Sequence, residues 1–506
     1  MSEEVKDIEQ LELVQNQTSN YRSIFKATSL FGGVQVYNIL IGVVRSKFLA
    51  VLLGPAGMGI QGLYQSTLDV VKSLTAFGLE QSAVRDISEA NGSGDTRKIN
   101  NTVATVRRLV WITGLLGFLV TLILSPLLSQ WTFGNNDYTL GFIILSTTLL
   151  LNQLCSGQKV LLQGMRRLKD LAKASAIGAT IGLIVSVPLY YWIGVKGIVP
   201  TMVLVSITAL LLSWHYSHKI PVEKSKLTTK KAVIYGASMI KMGVAMSISN
   251  ILVTISAYIL RWFIRQQGGV DEVGLFTAGI LITNTYVGMF FNAMSTDYYP
   301  RLSAVNKDNE KCKEVINQQG EIALLLIAPV ILSCIVFMPF IIKLIYSHDF
   351  LAANSFITFA VSGMVFKASS FVISYAFLAK AESRLFIVNE VVSNLYFLAL
   401  YVIGYYVGGL QGLGIAYMVG YFIYFIQVYL ISHLRYHFQF TKSFLRIFGA
   451  QIVSVAVSLM VAFTMSGAWF YVSEIAVLGL CAFSSIKELD KRIHVLEFVD
   501  TKISKI

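Results

Sequence analysis

The sequence of 506 residues is poor in charge: 14% of it is Asp, Glu, Lys or Arg, against 55% hydrophobic residues. That balance excludes a soluble enzyme of ordinary composition, and the mean hydropathy of +0.64 places the chain among integral membrane proteins. Cysteine is scarce as well, with four residues and no CxxC spacing. Cys155, Cys334 and Cys481 lie in apolar segments and Cys312 in a basic loop, which excludes a disulfide framework or a zinc site. There is no Gly-Lys dipeptide, hence no phosphate-binding Walker loop and no ATPase. No HExxH or nucleophile elbow occurs, and no outward loop is large enough to house a glycosyl-transfer or ligase site. The ten-residue alternation of a barrel strand is missing too. Crossings of the bilayer must then be helical, because hydrocarbon offers no partner to an unpaired backbone group.

What the chain does contain is a succession of apolar segments separated by short polar loops. They predict spans at 28–52, 60–82, 109–129, 139–161, 174–193, 197–216, 233–262, 273–297, 321–345, 352–379, 385–407, 411–433, 446–464 and 468–484. The fold class expected is an all-α polytopic membrane protein with about 14 transmembrane helices, two six-helix lobes in parallel repeat and two C-terminal helices. The corresponding domains are an N-terminal tail 1–27, an N-lobe 28–216, a basic linker 217–232, a C-lobe 233–434, a final pair of spans within 435–484 and a tail 485–506. The first 26 residues are polar and acid-rich, and the apolar run after them is too long for a signal-peptide core, so a retained first span is expected.

The formal charge of +13 is not spread evenly, which argues against nucleic acid as a partner. Lys and Arg concentrate in loops after even-numbered spans and in both tails, as at Arg97, Lys98, Lys307, Lys311, Lys313, Arg435 and Lys442. Loops after odd-numbered spans hold few, such as Lys196 and Lys343. This places both termini in the cytoplasm of a multi-pass protein of inner-membrane type with an even number of spans. His215, His218, His433 and His437 then fall at cytoplasmic span ends, where interfacial placement explains them.

The two halves resemble each other. Asn38-Ile39-Leu40 recurs as Asn250-Ile251-Leu252, an offset of 212, and in that register Gly269 falls opposite Gly57 and Gly274 opposite Gly62. Tyr190 to Gly197 resembles Tyr405 to Gly412 at an offset of 215. Six spans per half is an even number, so the lobes have one orientation and should be related by an axis along the membrane normal.

Ionisable groups within spans cost roughly 2.5–3.5 kcal/mol each on insertion scales, so they face a cavity, a partner or the headgroups. The cationic candidates are Arg45, Lys47, Lys72, Lys241, Arg261 and Lys367, and the acidic ones Asp69 and Glu390. Asn38 and Arg45, seven apart, share a helix face, as do Asn250 and Arg261, eleven apart. Asp69 and Lys72, three apart, are spaced to pair. Asn38, Asn250 and Asn284 are candidate polar lining, although Asn284, with Thr277, Gly288 and Asn292, also fits a helix-packing track. Arg45, Lys47 and Arg261 lie toward outer helix ends, where snorkelling is the competing reading. Cations outnumber anions in this set, so a cavity built from it would suit a phosphate or pyrophosphate rather than a drug cation.

Arg45-x-Lys47-x-x-Ala50-x-x-x-Gly54-Pro55-Ala56-Gly57-x-Gly59, followed by Gly62-Leu63-Tyr64, resembles the first hairpin of Wzx-type O-antigen translocases and lipid III flippases. These belong to the multidrug/oligosaccharidyl-lipid/polysaccharide flippase superfamily, whose lobes have a MATE-like arrangement. The turns Gly194-x-x-Gly197 and Gly409-x-x-Gly412 resemble the family's link between the last two spans of each lobe. The resemblance covers residues 25 to 435 and implies a non-enzymatic flippase without cofactor. Its substrate would be an undecaprenyl-pyrophosphate-linked oligosaccharide moved from the cytoplasmic to the periplasmic leaflet, with membrane lipids and polysaccharide polymerase machinery as candidate partners. Only Arg45 and Lys47 carry over by position, at the exit-side end of a basic cavity. Coupling would come from H+ or Na+ on Asp69 or Glu390, or from the membrane potential, about 2.3 kcal/mol per charge per 100 mV. An ion-coupled multidrug or small-molecule exporter of the same fold is the alternative.

Overall fold

The computed structural model describes residues 3–223 and 228–493, and every element among them is helical. Helix α1 is Glu3–Thr75, α2 Leu79–Gly92, α3 Thr96–Phe133, α4 Thr139–Gly164, α5 Leu168–Ile193, α6 Ile198–Ser217 and α7 Thr229–Ile280. Then come α8 Met289–Ala304, α9 Asn309–Ile345, α10 Asn354–Ser362, α11 Met364–Ala379, α12 Ser383–Tyr436, α13 Lys442–Thr464 and α14 Gly467–Ile493. Among the described residues, ten helical stretches are long and apolar enough to cross a membrane. Their outer faces carry exposed Leu, Ile, Val and Trp, such as Ile123 and Leu395, the surface expected against lipid rather than water. The chain is a multi-pass membrane protein.

Four of the ten stretches, Gly33–Thr75, Leu168–Ser217, Met246–Asn292 and Ser383–Tyr436, run to 43, 50, 47 and 54 residues. At about 1.5 Å per residue each is more than twice as long as the roughly 30 Å of bilayer hydrocarbon. Each is broken at a glycine in the left-handed half of backbone space: Gly54 (φ 65, ψ −168), Gly194 (φ 63, ψ −140), Gly269 (φ 84, ψ −176) and Gly409 (φ 56, ψ −140). A side chain at such dihedrals meets the preceding carbonyl, so glycine is what lets the helix bend there.

These breaks pair by conformation at one offset. Gly194 and Gly409 are 215 positions apart, and so are Gly54 and Gly269. The first hairpin therefore repeats at 215 rather than at 212, and Gly269 corresponds to Gly54, not to Gly57. The Asn-Ile-Leu match misplaces the register because it lies on regular helix, where many apolar triplets fit. At 215, Arg45 corresponds to Leu260 and Arg261 to Ser46, so the second half carries its cation one position on, about 100° further round the helix.

The helices also extend past the apolar segments. Arg85 to Arg108, expected as a loop, holds the end of α2 and the first turns of α3, which starts at Thr96 where Asp95 caps Arg97 N and Lys98 N. Helix α9 likewise begins at Asn309, capped by Asp308, ahead of the expected 321. The reason is amphipathicity. In α2, Leu79, Ala83 and Ile87 are buried against Val103, Val106 and Leu109 of α3 and Val160 to Leu162 of α4, while Arg85 and Glu89 stay outside. Full burial of Leu79 or Ile87 contributes roughly 1.5–3 kcal/mol, enough to fold a helix this short onto its neighbours. Glu89 accepts a hydrogen bond from Lys98, which holds its carboxyl below the usual range.

The chain forms two compact units, Met1–Leu53 with Leu63–Thr254, and Gly54–Gly62 with Ile255–Ile506.

Candidate functional site

Within the first unit, the second half of α1, the start of α2, α4 and the middle of α7 surround a cavity of about 700 Å³, inside the range of small-molecule sites. Asp69, Lys72 and Ser73 come from α1, Glu80 and Gln81 from α2, Gln153 and Gln163 from α4, and Ser247, Asn250 and Thr254 from α7. Gln65 Nε2 donates to Asp69 Oδ1 at 2.9 Å, one turn away on α1. Gln153 Nε2 donates to Thr113 Oγ1 at 2.9 Å, which fixes that carboxamide's orientation. Thr254 Oγ1 donates back to the Asn250 main-chain carbonyl at 2.7 Å, and both residues line the cavity. At one end Gly78, in the left-handed conformation (φ 61), meets Gly243: a Cβ at Gly78 would stand 2.0 Å from the Gly243 carbonyl oxygen. Only glycine permits so close an approach of the two backbones.

In the second unit, Lys367 on α11 has a different setting. Its Nζ is 3.3 Å from Asn284 Oδ1 and 3.4 Å from the Tyr417 hydroxyl, which itself donates to Asn284 Oδ1 at 3.0 Å. The ammonium also lies 5.1 Å from the Tyr421 ring centre and 5.5 Å from that of Phe291, where ring quadrupoles attract a cation. Among the described residues no carboxylate pairs with it. Asn284 reaches this position from a π-helical turn, Leu281–Val287, between α7 and α8. There Gly288 N bonds Thr283 O at 3.1 Å while the Thr283 hydroxyl bonds the Gly279 carbonyl at 3.0 Å. Widened turns of this kind recur at functional positions.

The remaining candidates are dispersed. Arg45, half-buried on α1, interacts electrostatically with Tyr190 of α5, and Lys47 is half-buried nearby. Asn38 serves helix pairing: its Nδ2 donates to Ser175 Oγ at 2.8 Å, beside a 2.7 Å Tyr37–Thr180 hydroxyl contact. Arg261 folds back on its own helix, with Nη1 3.2 Å from the Ala257 carbonyl and the guanidinium 5.5 Å from the Phe276 ring centre. Lys241 is exposed and not part of the cavity lining. Glu390 is hydrogen-bonded to Tyr424, within a polar set in which Asn389 Nδ2 donates to Tyr424 at 3.2 Å and Gln427 Nε2 to Asn389 Oδ1 at 2.8 Å. Asp69, Lys72 and Asn250 thus meet in one cavity, and Lys367 and Asn284 meet at another site. The carboxamides Gln81, Gln153 and Gln163 were not among the sequence candidates; their signal was glutamine recurring in otherwise apolar stretches.

Residues 48–355, more than half of the chain, match the family described as "Polysaccharide biosynthesis protein". The chain belongs to that family. It is similar to a lipid III flippase of Escherichia coli (strain K12), 24% identical over 416 residues that cover 80% of this chain and 96% of that protein. Among solved structures, an inward-facing multidrug resistance MATE family transporter of the MOP superfamily superposes with TM-score 0.68 at 16% identity, over 81% of this chain and 98% of that one. The lipid II flippase MurJ, in an inward closed conformation, superposes with TM-score 0.67 at 14% identity, over 92% and 99%. The polysaccharide biosynthesis family member described here therefore has the MATE- and MurJ-like helical fold, and it groups with transporters rather than with enzymes.

Proposed function

We propose that the protein flips an undecaprenyl-pyrophosphate-linked oligosaccharide from the cytoplasmic to the periplasmic leaflet of a bacterial inner membrane, by alternating access. The observation that carries the reading is the polar cavity of about 700 Å³ within an otherwise apolar helical unit, which offers a headgroup a hydrophilic way station. Similarity to a lipid III flippase over four-fifths of the chain supports the substrate class. In this reading the four glycine-broken stretches each cross twice, giving fourteen crossings with both termini cytoplasmic, and the glycine pairs at 215 support two six-span lobes in parallel repeat. The lobes would be 28–216 and 233–434, joined by the linker 217–232, of which Lys224 to Leu227 lies outside the described residues. The proposed contact for pyrophosphate is Arg45 in the first unit and, separately, Lys367 in the second, and Asp69 or Glu390 is the proposed carrier of a coupling ion.

Depletion in cells, followed by a leaflet-resolved assay of polyprenyl-linked glycans, tests the reading. The expected result is accumulation of glycan-bearing lipid in the cytoplasmic leaflet with unchanged drug sensitivity. Normal glycan distribution with raised drug sensitivity would assign the protein to small-molecule export instead.

A further inference from the structure

We infer that the cavity of the first unit is a saccharide subsite, selecting the neutral, hydroxyl-rich part of the substrate rather than its pyrophosphate; the inference rests on the flippase reading above. The charges come first. One ammonium, Lys72, lines the cavity together with two carboxylates, Asp69 and Glu80. A pyrophosphate seeks an excess of Arg and Lys, and this lining lacks one. The second observation is the density of carboxamides: Gln81, Gln153, Gln163 and Asn250 arrive from three different helices and converge on one space. A carboxamide presents a donor and an acceptor in one plane, which is the complement of a vicinal diol or an acetamido group. An anion can use only the donor half of it. The carboxylates fit the same reading, since an ionised Asp accepts from sugar hydroxyls but repels phosphate.

The placement of the cations agrees. Arg45 and Lys47 lie well before Asp69 on α1. Neither lines the cavity. Sugar and diphosphate recognition are thus spatially divided along the first unit, with Lys72 the one cation beside the carboxamides. Such a division lets the protein favour a glycosylated carrier, because a sugar uses both the donor and the acceptor of these carboxamides and a bare diphosphate lipid does not.

The test uses the full chain in lipid nanodiscs and two probes, undecaprenyl pyrophosphate and the same lipid bearing one N-acetylhexosamine. The wild-type protein is expected to bind the glycosylated probe at least about tenfold more tightly. In the Gln163→Leu/Asn250→Leu variant that ratio should fall to within about twofold of unity, with affinity for the bare carrier unchanged. Gln81→Leu, a single exposed change on α2, should lower the ratio by itself and serves if the double variant folds poorly. A ratio that survives in these variants would show that the sugar binds elsewhere and overturn the proposal. Parallel loss of both affinities would overturn it in favour of a pyrophosphate seated in the cavity. If the wild-type chain binds neither probe, the flippase reading itself fails, and the subsite with it.

Discussion

Gly274→Ala and Gly59→Ala are each expected to prevent accumulation of well-folded protein, whereas Gly42→Ala leaves it unchanged or slightly increased. A Cβ at Gly274 would stand 1.9 Å from the Pro55 carbonyl oxygen, and one at Gly59 would stand 2.0 Å from the Val270 carbonyl oxygen. Both obstacles are backbone, so no rotamer change relieves them, and the segments must separate by more than 1 Å. Overpacking in a core costs typically 1–3 kcal/mol, and a contact that must move two backbones belongs at or above the upper end, about 3 kcal/mol. At Gly42 nothing lies within 4 Å, so alanine adds only its better helix propensity, about 1 kcal/mol. Yield of monodisperse detergent-extracted protein and its thermal midpoint read the difference. Wild-type midpoints for both crossing variants would refute the packing argument.

The contact at this crossing has a second property. Gly59 and Gly274 are 215 positions apart, as are Pro55 and Val270, so each contact is the counterpart of the other. Gly62, in turn, faces Thr277, its own equivalent at that offset. Reciprocal contacts of this kind are what a two-fold relation between like segments produces. The duplicated glycines therefore do two jobs: Gly54 and Gly269 turn the chain, and Gly59 and Gly274 let the turned segments meet.

How much of this was legible in the sequence differs by residue. Glycine turns were legible, because a glycine between apolar runs long enough to span has few other uses, and the pair Gly194/Gly409 was found at its true offset. Helix ends were less so, since the amphipathic starts of α3 and α9 look like charged loops when only mean hydropathy is read. The candidate site was half legible. Charges inside spans pointed to Asp69, Lys72 and Lys367, and in the structure Asn250 lines the same cavity as Asp69 and Lys72 while Asn284 lies beside Lys367. Yet counting charges suggested a single basic cavity, while the polar lining of the first-unit cavity holds one cation, two carboxylates and four uncharged carboxamides. No period links Gln81, Gln163 and Asn250, which come together only through packing of α2, α4 and α7. Arg45 and Lys47 retain their family resemblance without entering that space.

Arg492→Ala is expected to be among the most destabilising substitutions outside the membrane-facing surface. The last two spans carried no role in the sequence; in the structure Arg492 is a principal polar link between both of them and α9. Arg492 Nε donates to Glu321 Oε2 of α9 at 2.8 Å, Nη1 to Glu488 Oε2 of α14 at 2.7 Å, and Nη2 to Ser443 Oγ of α13 at 2.8 Å. Glu321 Oε1 accepts from the Thr441 hydroxyl at 3.3 Å, and Thr441 caps α13 through Phe444 N at 3.1 Å. Further along the pair, the fully buried Glu474 accepts from Ser458 Oγ at 2.7 Å and joins α14 to α13. Removing the guanidinium leaves Glu321, 11% exposed, without its cation, which would cost 3–5 kcal/mol if the pair were fully buried. Arg492 is 23% exposed, so solvent screening lowers the expectation to about 2–3 kcal/mol. Glu321→Gln should cost less than Arg492→Ala, because the guanidinium keeps its contacts with Glu488 and Ser443. The double variant Arg492→Leu/Glu321→Leu should lose less than the two single losses combined, since no charge is then left unpaired. Thermal unfolding of the purified variants measures all three, and additive losses would mean that Arg492 and Glu321 do not stabilise the protein as a pair.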